Sequence, residues 1–237
     1  MEQLRNKVAL ITGGTKGIGY GIAEALLKQG AKVAITSRQK ASAEVTCKKL
    51  AHEDDILGLE ADVRQLDSQR NAVEATIEKF GKLDIVIANA GLGHFASIED
   101  MTEDNWNAVI DTNLTGVFNS IKASVDELKK TKGYYLTISS LAGTNFFAGG
   151  SAYNASKFGV TGFTQAVMLD LRKHGIKVTT IMPGSVSTHF NGNEPDESDA
   201  WKIQIEDIGQ MVVDLLQMNP RTLPSKIEVR PTTPPSK

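Results

Sequence analysis

Short apolar runs alternate with longer amphipathic stretches along most of this chain. Val8-Ala9-Leu10-Ile11 is the first run, and comparable ones fall at 32–36, 56–60, 85–88, 134–138 and 178–181, with a last near 226–230. Apolar runs of this length suit strands buried on both faces. Between them, apolar residues recur at three- and four-residue spacing over 17–29, 42–52, 68–80, 103–130, 151–174 and 206–217, which predicts helices with one face against a core. In the stretch 103–130, Trp106, Val109, Ile110, Leu114, Val117, Phe118, Ile121, Val125 and Leu128 mark that face, so Trp106 reads as core. Strands alternating with helices predict βαβ units, and hence the α/β class: a doubly wound parallel sheet of about seven strands with helices on both faces. The direction of growth should switch after the third strand.

Polar and glycine positions gather just beyond the predicted strands. Thr12, Asp62, Asn89, Ser140 and Pro183 each closely follow an apolar run. Ligands of a doubly wound sheet bind outside the carboxyl ends of strands beside the switch, so one sheet edge should collect all five. Thr12 opens a glycine-rich turn, Thr12-Gly13-Gly14-Thr15-Lys16-Gly17-Ile18-Gly19, ahead of an amphipathic stretch with Ile22, Ala23, Leu26 and Leu27. Glycines let a backbone turn tightly and approach a pyrophosphate seated on a helix N-terminus. Taken alone, the turn also fits a plain strand-to-helix connection.

Composition adds bounds. A chain of 237 residues accommodates one α/β domain, expected over 1–230 with a proline-rich tail at 231–237. The net charge of −2 gives no reason to expect a nucleic-acid partner. Cys47, the single cysteine, excludes an intrachain disulfide and fits a reducing, cytoplasmic compartment. The polar residues 1–7 lead straight into the first strand without a secretory pattern. No apolar run is long enough for a bilayer, so no membrane association is expected. No His, Cys or carboxylate cluster has metal-ligand spacing, and His94 and His189 are given no role.

The candidate chemistry centres on Tyr153 and Lys157, four apart on one face of the helix predicted over 151–174. An ammonium beside a phenol favours the phenolate. Bringing a tyrosine from about 10 to near neutral takes about 4 kcal/mol of differential stabilisation. A group that protonates a carbonyl oxygen near pH 7 faces that demand. A packed tyrosine and a snorkelling lysine would show the same spacing. The company of this pair decides the matter. The glycine turn, Asp62-Val63, Asn89-Ala90-Gly91, Asn113, Ser139-Ser140, Tyr153-x-x-x-Lys157 and Pro183-Gly184 together resemble the short-chain dehydrogenase/reductase family, over roughly residues 5–190.

That resemblance implies a Rossmann-like fold and an oxidoreductase that moves a hydride between a nicotinamide and a carbonyl or secondary alcohol. Tyr153 would be the general acid in reduction and the base in oxidation. Lys157 would lower the tyrosine pKa and hold the nicotinamide ribose, Ser140 would polarise the carbonyl, and Asn113 would position a water in a proton relay. Ser140, thirteen residues before Tyr153, fits the family's serine better than Ser139, and strand alternation sends the two side chains to opposite faces. Cofactor contacts are implied at Gly13, Thr15, Lys16, Gly17, Ile18, Gly19, Asp62, Val63, Asn89, Ala90, Gly91, Pro183, Gly184, Val186 and Thr188, together with Tyr153 and Lys157. NAD sites place an acid at the end of the second strand; here Ser37 stands there and Arg38 comes next. Arg38 and Lys16 could grip a 2′-phosphate, so the implied cofactor is NADP(H).

Two regions depart from the family's pattern. The substrate lid, 188–201, is short and carries Glu194, Asp196, Glu197 and Asp199, which suggests an open or mobile pocket. A glycine-rich C-terminal segment is replaced by Ile227-Glu228-Val229-Arg230-Pro231. Small residues at Gly159, Gly162 and Ala166 permit close helix approach, against the sheet or between subunits; the resemblance implies that this helix pairs between subunits, so a homodimer or homotetramer is expected. A narrower reading, a 3-oxoacyl-[acyl-carrier-protein] reductase, would use Lys129, Lys130, Lys132, Arg172 and Lys173 as a basic patch for an acidic carrier. A catalytically silent NADP-sensing protein is the alternative from another class; a sugar-nucleotide epimerase would need a larger substrate domain.

Overall fold

The computed structural model describes residues 4–51 and 53–233. Strands β1 (Val8–Ile11), β2 (Lys32–Ser37), β3 (Ile56–Glu60), β4 (Ile85–Ala88), β5 (Tyr134–Ile138), β6 (Lys177–Pro183) and β7 (Lys226–Val229) build one parallel sheet in the order β3-β2-β1-β4-β5-β6-β7. The order reverses between β1 and β4, as the strand–helix alternation predicts. Helices α1 (Gly17–Lys28), α2 (Lys40–Leu50), α3 (Leu66–Phe80), α4 (Glu103–Ile110), α5 (Gly116–Thr131), α6 (Ser151–Leu171) and α7 (Ile205–Gln217) cover the two faces.

Register explains why the strands read as unbroken apolar runs. Leu10, Ala34, Val86, Tyr135 and Val178 lie side by side across the sheet and pack with Val73, Val117, Leu128 and Val160 of α3, α5 and α6. The next row, Ile11, Ile35, Ile87 and Leu136, points the other way, onto Ile22, Leu26, Ile208 and Val212 of α1 and α7. Successive side chains serve opposite cores, so both positions are mostly apolar, and the buried exceptions are small threonines such as Thr137 and Thr179. On the second face, α1 and α7 approach at two glycines. An added Cβ would lie 2.5 Å from the Ile205 carbonyl oxygen at Gly21 and 2.6 Å from the Gly21 carbonyl oxygen at Gly209.

The stretch 103–130 is not one regular helix. A π turn, Asp111–Thr115, separates α4 from α5, with the Gly116 N–H donating to the Asp111 carbonyl. The extra residue of a π turn rotates the helix before it relative to the helix after it. Trp106, read as core from a single helical period, is therefore 37% exposed, and Val109 is the buried residue of α4. The helix predicted over 151–174 is α6 continued by a 3-10 turn, Arg172–His174. Residues 234–237 of the expected tail and His52 at the end of the helix expected over 42–52 lie outside the described residues. Pro231 is packed: an added Cβ on Gly184 would lie 3.4 Å from its ring.

Asp84 holds the opposite edge of the sheet together. Its buried carboxylate accepts from Lys7 (2.8 Å), Lys82 (2.9 Å) and the Val8 N–H (3.0 Å). Burial alone would raise its pKa, but the two lysines and the amide outweigh it and the net shift is downward. Stability from this group is present above the unfolded carboxylate pKa and lost as pH falls through the lower folded value. Asp84→Asn should destabilise the protein by about 1–3 kcal/mol at pH 7 in urea melts, with the difference from wild type narrowing below pH ~4. A difference that stays constant with pH would show that the charge is not what matters.

Candidate active site

The glycine turn sits at the switch between β1 and β4. Thr12 Oγ1 accepts from the N–H groups of Asn89 (3.0 Å) and Ala90 (3.1 Å). The Asn89 amide donates back to the carbonyls of Thr12 and Gly13, both at 3.0 Å, so Asn89 acts as a strut between two strand ends. Gly13 and Gly17 have φ of 66° and 57°, a region that favours glycine. Gly19 does not face the cavity; it packs against the Gly13 carbonyl and the Asn89 amide. Helix α1 starts after extended Lys16 with no side chain capping its first turn. Its first N–H groups are thus left for an anion.

A cavity of about 550 Å³ runs along this edge, within the usual range for a cofactor site. Gly13, Thr15, Lys16, Gly17, Ile18, Ser37, Arg38, Asp62, Val63, Asn89, Ala90, Gly91, Ser140, Tyr153, Lys157, Pro183, Gly184, Val186 and Thr188 all line it. At the β2–β3 end, Lys16 and Arg38 are exposed. The Asp62 carboxylate is gripped by the Arg64 guanidinium and accepts from the Arg64 N–H at 3.0 Å. The side-chain hydrogen bond from Arg64 holds Asp62 below the usual carboxylate range against the cost of burial, with Arg38 adding a smaller pull. A dinucleotide fits this chain: the uncapped helix start, the left-handed glycines and the cationic end form one continuous groove.

At the β5 end, alternation parts the two serines as expected. Ser139 turns inward and donates to the Lys157 carbonyl (3.1 Å). Ser140 accepts from the Ala142 N–H (3.1 Å) and donates to the Pro183 carbonyl (3.5 Å), with its hydroxyl on the Tyr153 side of the cavity. Lys157 is buried, its Nζ 5.6 Å from the Tyr153 ring centroid and 3.0 Å from the Ile138 carbonyl it donates to. Burial pushes Lys157 down to about 8. Tyr153 moves in the opposite direction from the expected one: burial raises its pKa, and the Ser140 hydroxyl only partly offsets that. The reason is geometric, since the ammonium here is directed at a backbone carbonyl. Asn113 sits in the π turn, behind the cavity wall. Its Oδ1 accepts from the Leu92 N–H (2.9 Å), and its Nδ2 donates to the Leu92 carbonyl (2.9 Å) and Ser156 Oγ (3.0 Å).

Sequence reasoning missed two groups. Asn154 donates to the carbonyls of Ala142 (2.8 Å) and Asn145 (2.7 Å), tying the loop after Ser140 to α6. Phe95 and Phe190 flank Tyr153 at centroid distances of 5.4 Å and 5.7 Å. The segment expected to be an open lid instead folds back through Phe190. Its far end is tied down by the bridge between Val186 and Ile203 and by the Lys202–Asp199 ion pair. Nothing local in the sequence marks these rings, because they come from loops far apart in the chain. Val229 and Pro231 supply the wall behind Gly184, whose N–H donates to the Val229 carbonyl (2.8 Å). The basic cluster considered for an acidic carrier lies elsewhere. Lys129, Lys130 and Lys132 precede β5, and Arg172 and Lys173 precede β6, at the sheet edge opposite Ser140. Lys129 and Lys130 are also paired with Asp126 and Glu127.

A parallel sheet switching at β1/β4, with a dinucleotide groove ending at a serine, tyrosine and lysine, defines a nicotinamide-dependent oxidoreductase acting on CH–OH or C=O groups. Known proteins agree with that class. Residues 7–199 match the short chain dehydrogenase family. Trans-4-hydroxycyclohexanecarboxylate dehydrogenase of Sinomonas cyclohexanicum is 36% identical, over 79% of this chain and 75% of its own. An alcohol dehydrogenase from the archaeon Thermococcus sibiricus, complexed with 5-hydroxy-NADP, superposes with a TM-score of 0.90 at 28% identity, covering 98% of this chain and 99% of that one. The 3-ketoacyl-(acyl-carrier-protein) reductase of Brucella melitensis, complexed with NADH, gives 0.89 at 27%, covering 97% and 98%. This chain belongs to the short-chain dehydrogenase/reductase family and is an oxidoreductase.

The buried lysine makes stability depend on pH. Lys157 titrates at about 8 in the fold against 10.5 unperturbed. Between those values the unfolded chain carries the extra proton, so stability rises with pH. Lys157→Met should be more stable than wild type at pH 7, and the gap should close as pH climbs from 8 towards 10.5 in denaturant melts. Parallel pH curves for the two proteins would show that the burial of this ammonium has no energetic cost.

Proposed function

We propose that this protein is an NADP(H)-preferring reductase or dehydrogenase of a carbonyl/secondary alcohol pair, working as one catalytic domain over residues 1–230. The observation that carries the cofactor choice is the β2 end: Ser37 in the acid's place, then Arg38, with Lys16 across the groove. Among the described residues neither cation has an ion pair, and the one carboxylate nearby, Asp62, is already matched by Arg64. A 2′-phosphate would find two free cations and no repulsion.

The nicotinamide, when bound, supplies or accepts the hydride. The chain does the rest. Ser140 and Tyr153 hold the substrate oxygen between two hydroxyls. Tyr153 passes its proton to that oxygen in reduction and takes it back in oxidation. Lys157 would hold the ribose of a bound nicotinamide nucleotide; its ammonium donates to the Ile138 carbonyl and lies 5.6 Å from the Tyr153 ring centroid, near enough to add positive charge as a phenolate forms. The Asn113 amide is engaged with Leu92 and Ser156, so Asn113 serves the proton relay by fixing the π turn against the loop after β4 and against α6. Gly162, on α6, has open space beside it, and Phe158 and Phe118 are 43% and 45% exposed on α6 and α5. This surface supports a homodimer or homotetramer formed through α5 and α6. No helix among the described residues is long and apolar enough to cross a membrane, which is consistent with a cytoplasmic enzyme.

The acyl-carrier reading is the second choice. The Brucella relative complexed with NADH is a reductase of that kind, yet here the basic cluster is on the wrong edge and the lid residues Glu194, Asp196 and Glu197 are exposed acids. An acidic carrier would meet repulsion at the mouth.

Two measurements test the assignment. Tyr153→Phe should lower kcat by about a hundredfold or more while NADPH binding, monitored by fluorescence, stays intact; retained turnover removes Tyr153 from the chemistry. Arg38→Asp should shift the NADPH/NADH ratio of kcat/KM towards NADH by about tenfold or more. An unchanged ratio would sink the NADP preference.

A further inference from the structure

We propose that the substrate presents an apolar ring or alkyl group beside its carbonyl, held by a clamp of Phe95, Phe147 and Phe190; the proposal rests on the reductase reading and names its substrate class. The three rings come from separate segments: the loop after β4, the loop between Ser140 and α6, and the lid. Phe95 and Phe190 converge on Tyr153, and Phe147 joins them through Phe95. Phe95 meets Tyr153 edge-on at 5.4 Å and 66°, Phe190 meets it at 5.7 Å, and Phe147 meets Phe95 at 5.9 Å. Phe95 and Phe190 also touch across 6.5 Å.

These rings are not completing the core. Phe95 is 41% exposed and Phe147 49% exposed, and neither belongs to the two clusters that flank the sheet. An exposed apolar patch of this kind needs a reason. Their approach is built into the backbone. Gly93 leaves the room: a Cβ there would lie 2.9 Å from both Phe190 Cζ and Phe95 Cζ. The Ala96 N–H donates to the Gly149 carbonyl (2.9 Å), pinning the loop of Phe95 to the loop of Phe147. Asn154 holds the latter loop on α6 through its Asn145 contact.

Charge points the same way. Of the charged residues lining the cavity, Lys16, Arg38 and Asp62 stand at the far, β2–β3 end. Lys202 is paired with Asp199, and Lys157 donates to the Ile138 carbonyl. Among the described residues no unpaired lysine or arginine is left beside the rings for a carboxylate or phosphate on the substrate, and the neighbouring titratable groups are the imidazoles of His94 and His189. A carbon substituent stacked on these phenylalanines loses water on both sides and gains edge-to-face contacts. A polar substituent would give up its hydration against the ring faces.

The test compares acetophenone and cyclohexanone with pyruvate and dihydroxyacetone as NADPH-dependent substrates, for wild type, Phe95→Ala and Phe190→Ala, with Phe190→Leu as a volume-sparing control. The apolar ketones should have the higher kcat/KM. Each alanine variant should lower it about tenfold or more for them, chiefly through KM, with NADPH affinity within about twofold of wild type. Phe190→Leu should recover most of the loss. A preference for pyruvate, or alanine variants that affect all four ketones equally, overturns the proposal. Failure of the reductase reading shows itself separately, as no turnover of any ketone with NADPH bound. Calorimetric titration of acetophenone into the NADPH complex then decides the clamp: binding weakened by both alanine variants supports it, and equal binding rejects it.

Discussion

The join between the ends of β1 and β4 is the constraint on which the site depends. Two strands that are neighbours in the sheet but separated in sequence by two strands and three helices must end at the same level, or no groove forms at the switch. Thr12 and Asn89 set that level with a hydroxyl that accepts two amide protons and an amide that reaches two carbonyls. Four hydrogen bonds in a partly buried corner fix the glycine turn against Asn89 and Ala90. Everything downstream, from the anion seat on α1 to the floor beneath Lys157, takes its position from that point. Buried polar networks of this kind specify one geometry because any alternative leaves several partners unsatisfied at once.

The catalytic end carries an opposite kind of energetic statement. Lys157 is a buried ammonium with a single carbonyl partner and no carboxylate, and Tyr153 is a phenol held neutral by its surroundings. The buried ammonium is a cost to the fold at neutral pH, while the phenol keeps the neutral form it has in water. Such costs concentrate where charge must move during a reaction. The aromatic rings beside Tyr153 extend the same principle, since apolar faces next to a phenol disfavour its charged form.

Most of the sheet was legible from sequence because its strands are buried on both faces and therefore read as unbroken apolar runs. Val8–Ile11 and Tyr134–Ile138 needed only that pattern. The motif residues were legible for a different reason: backbone turns at strand ends admit few residue types, and those types recur in order. What resisted reading were features without a period. The π turn around Asn113 inserts one residue, so a helix extrapolated through it put Trp106 on the wrong side. The pKa of Tyr153 depended on where a lysine ammonium points, which spacing does not encode. Phe95, Phe147 and Phe190 meet only because three loops converge, and a convergence in space leaves no mark along the chain.

The contact between Gly21 and Ile205 has a mechanical meaning. Helix α1 begins at the glycine turn, and Ile205 opens α7 just beyond the lid. They touch with no side chain between them, main chain on main chain, so there is no rotamer to absorb a shift. The groove's anion seat and the root of the lid are two points on one stiff strut. Whatever settles against the start of α1 sets the footing from which the lid reaches over Tyr153, and the nucleotide and the substrate cover are thereby framed as a single part.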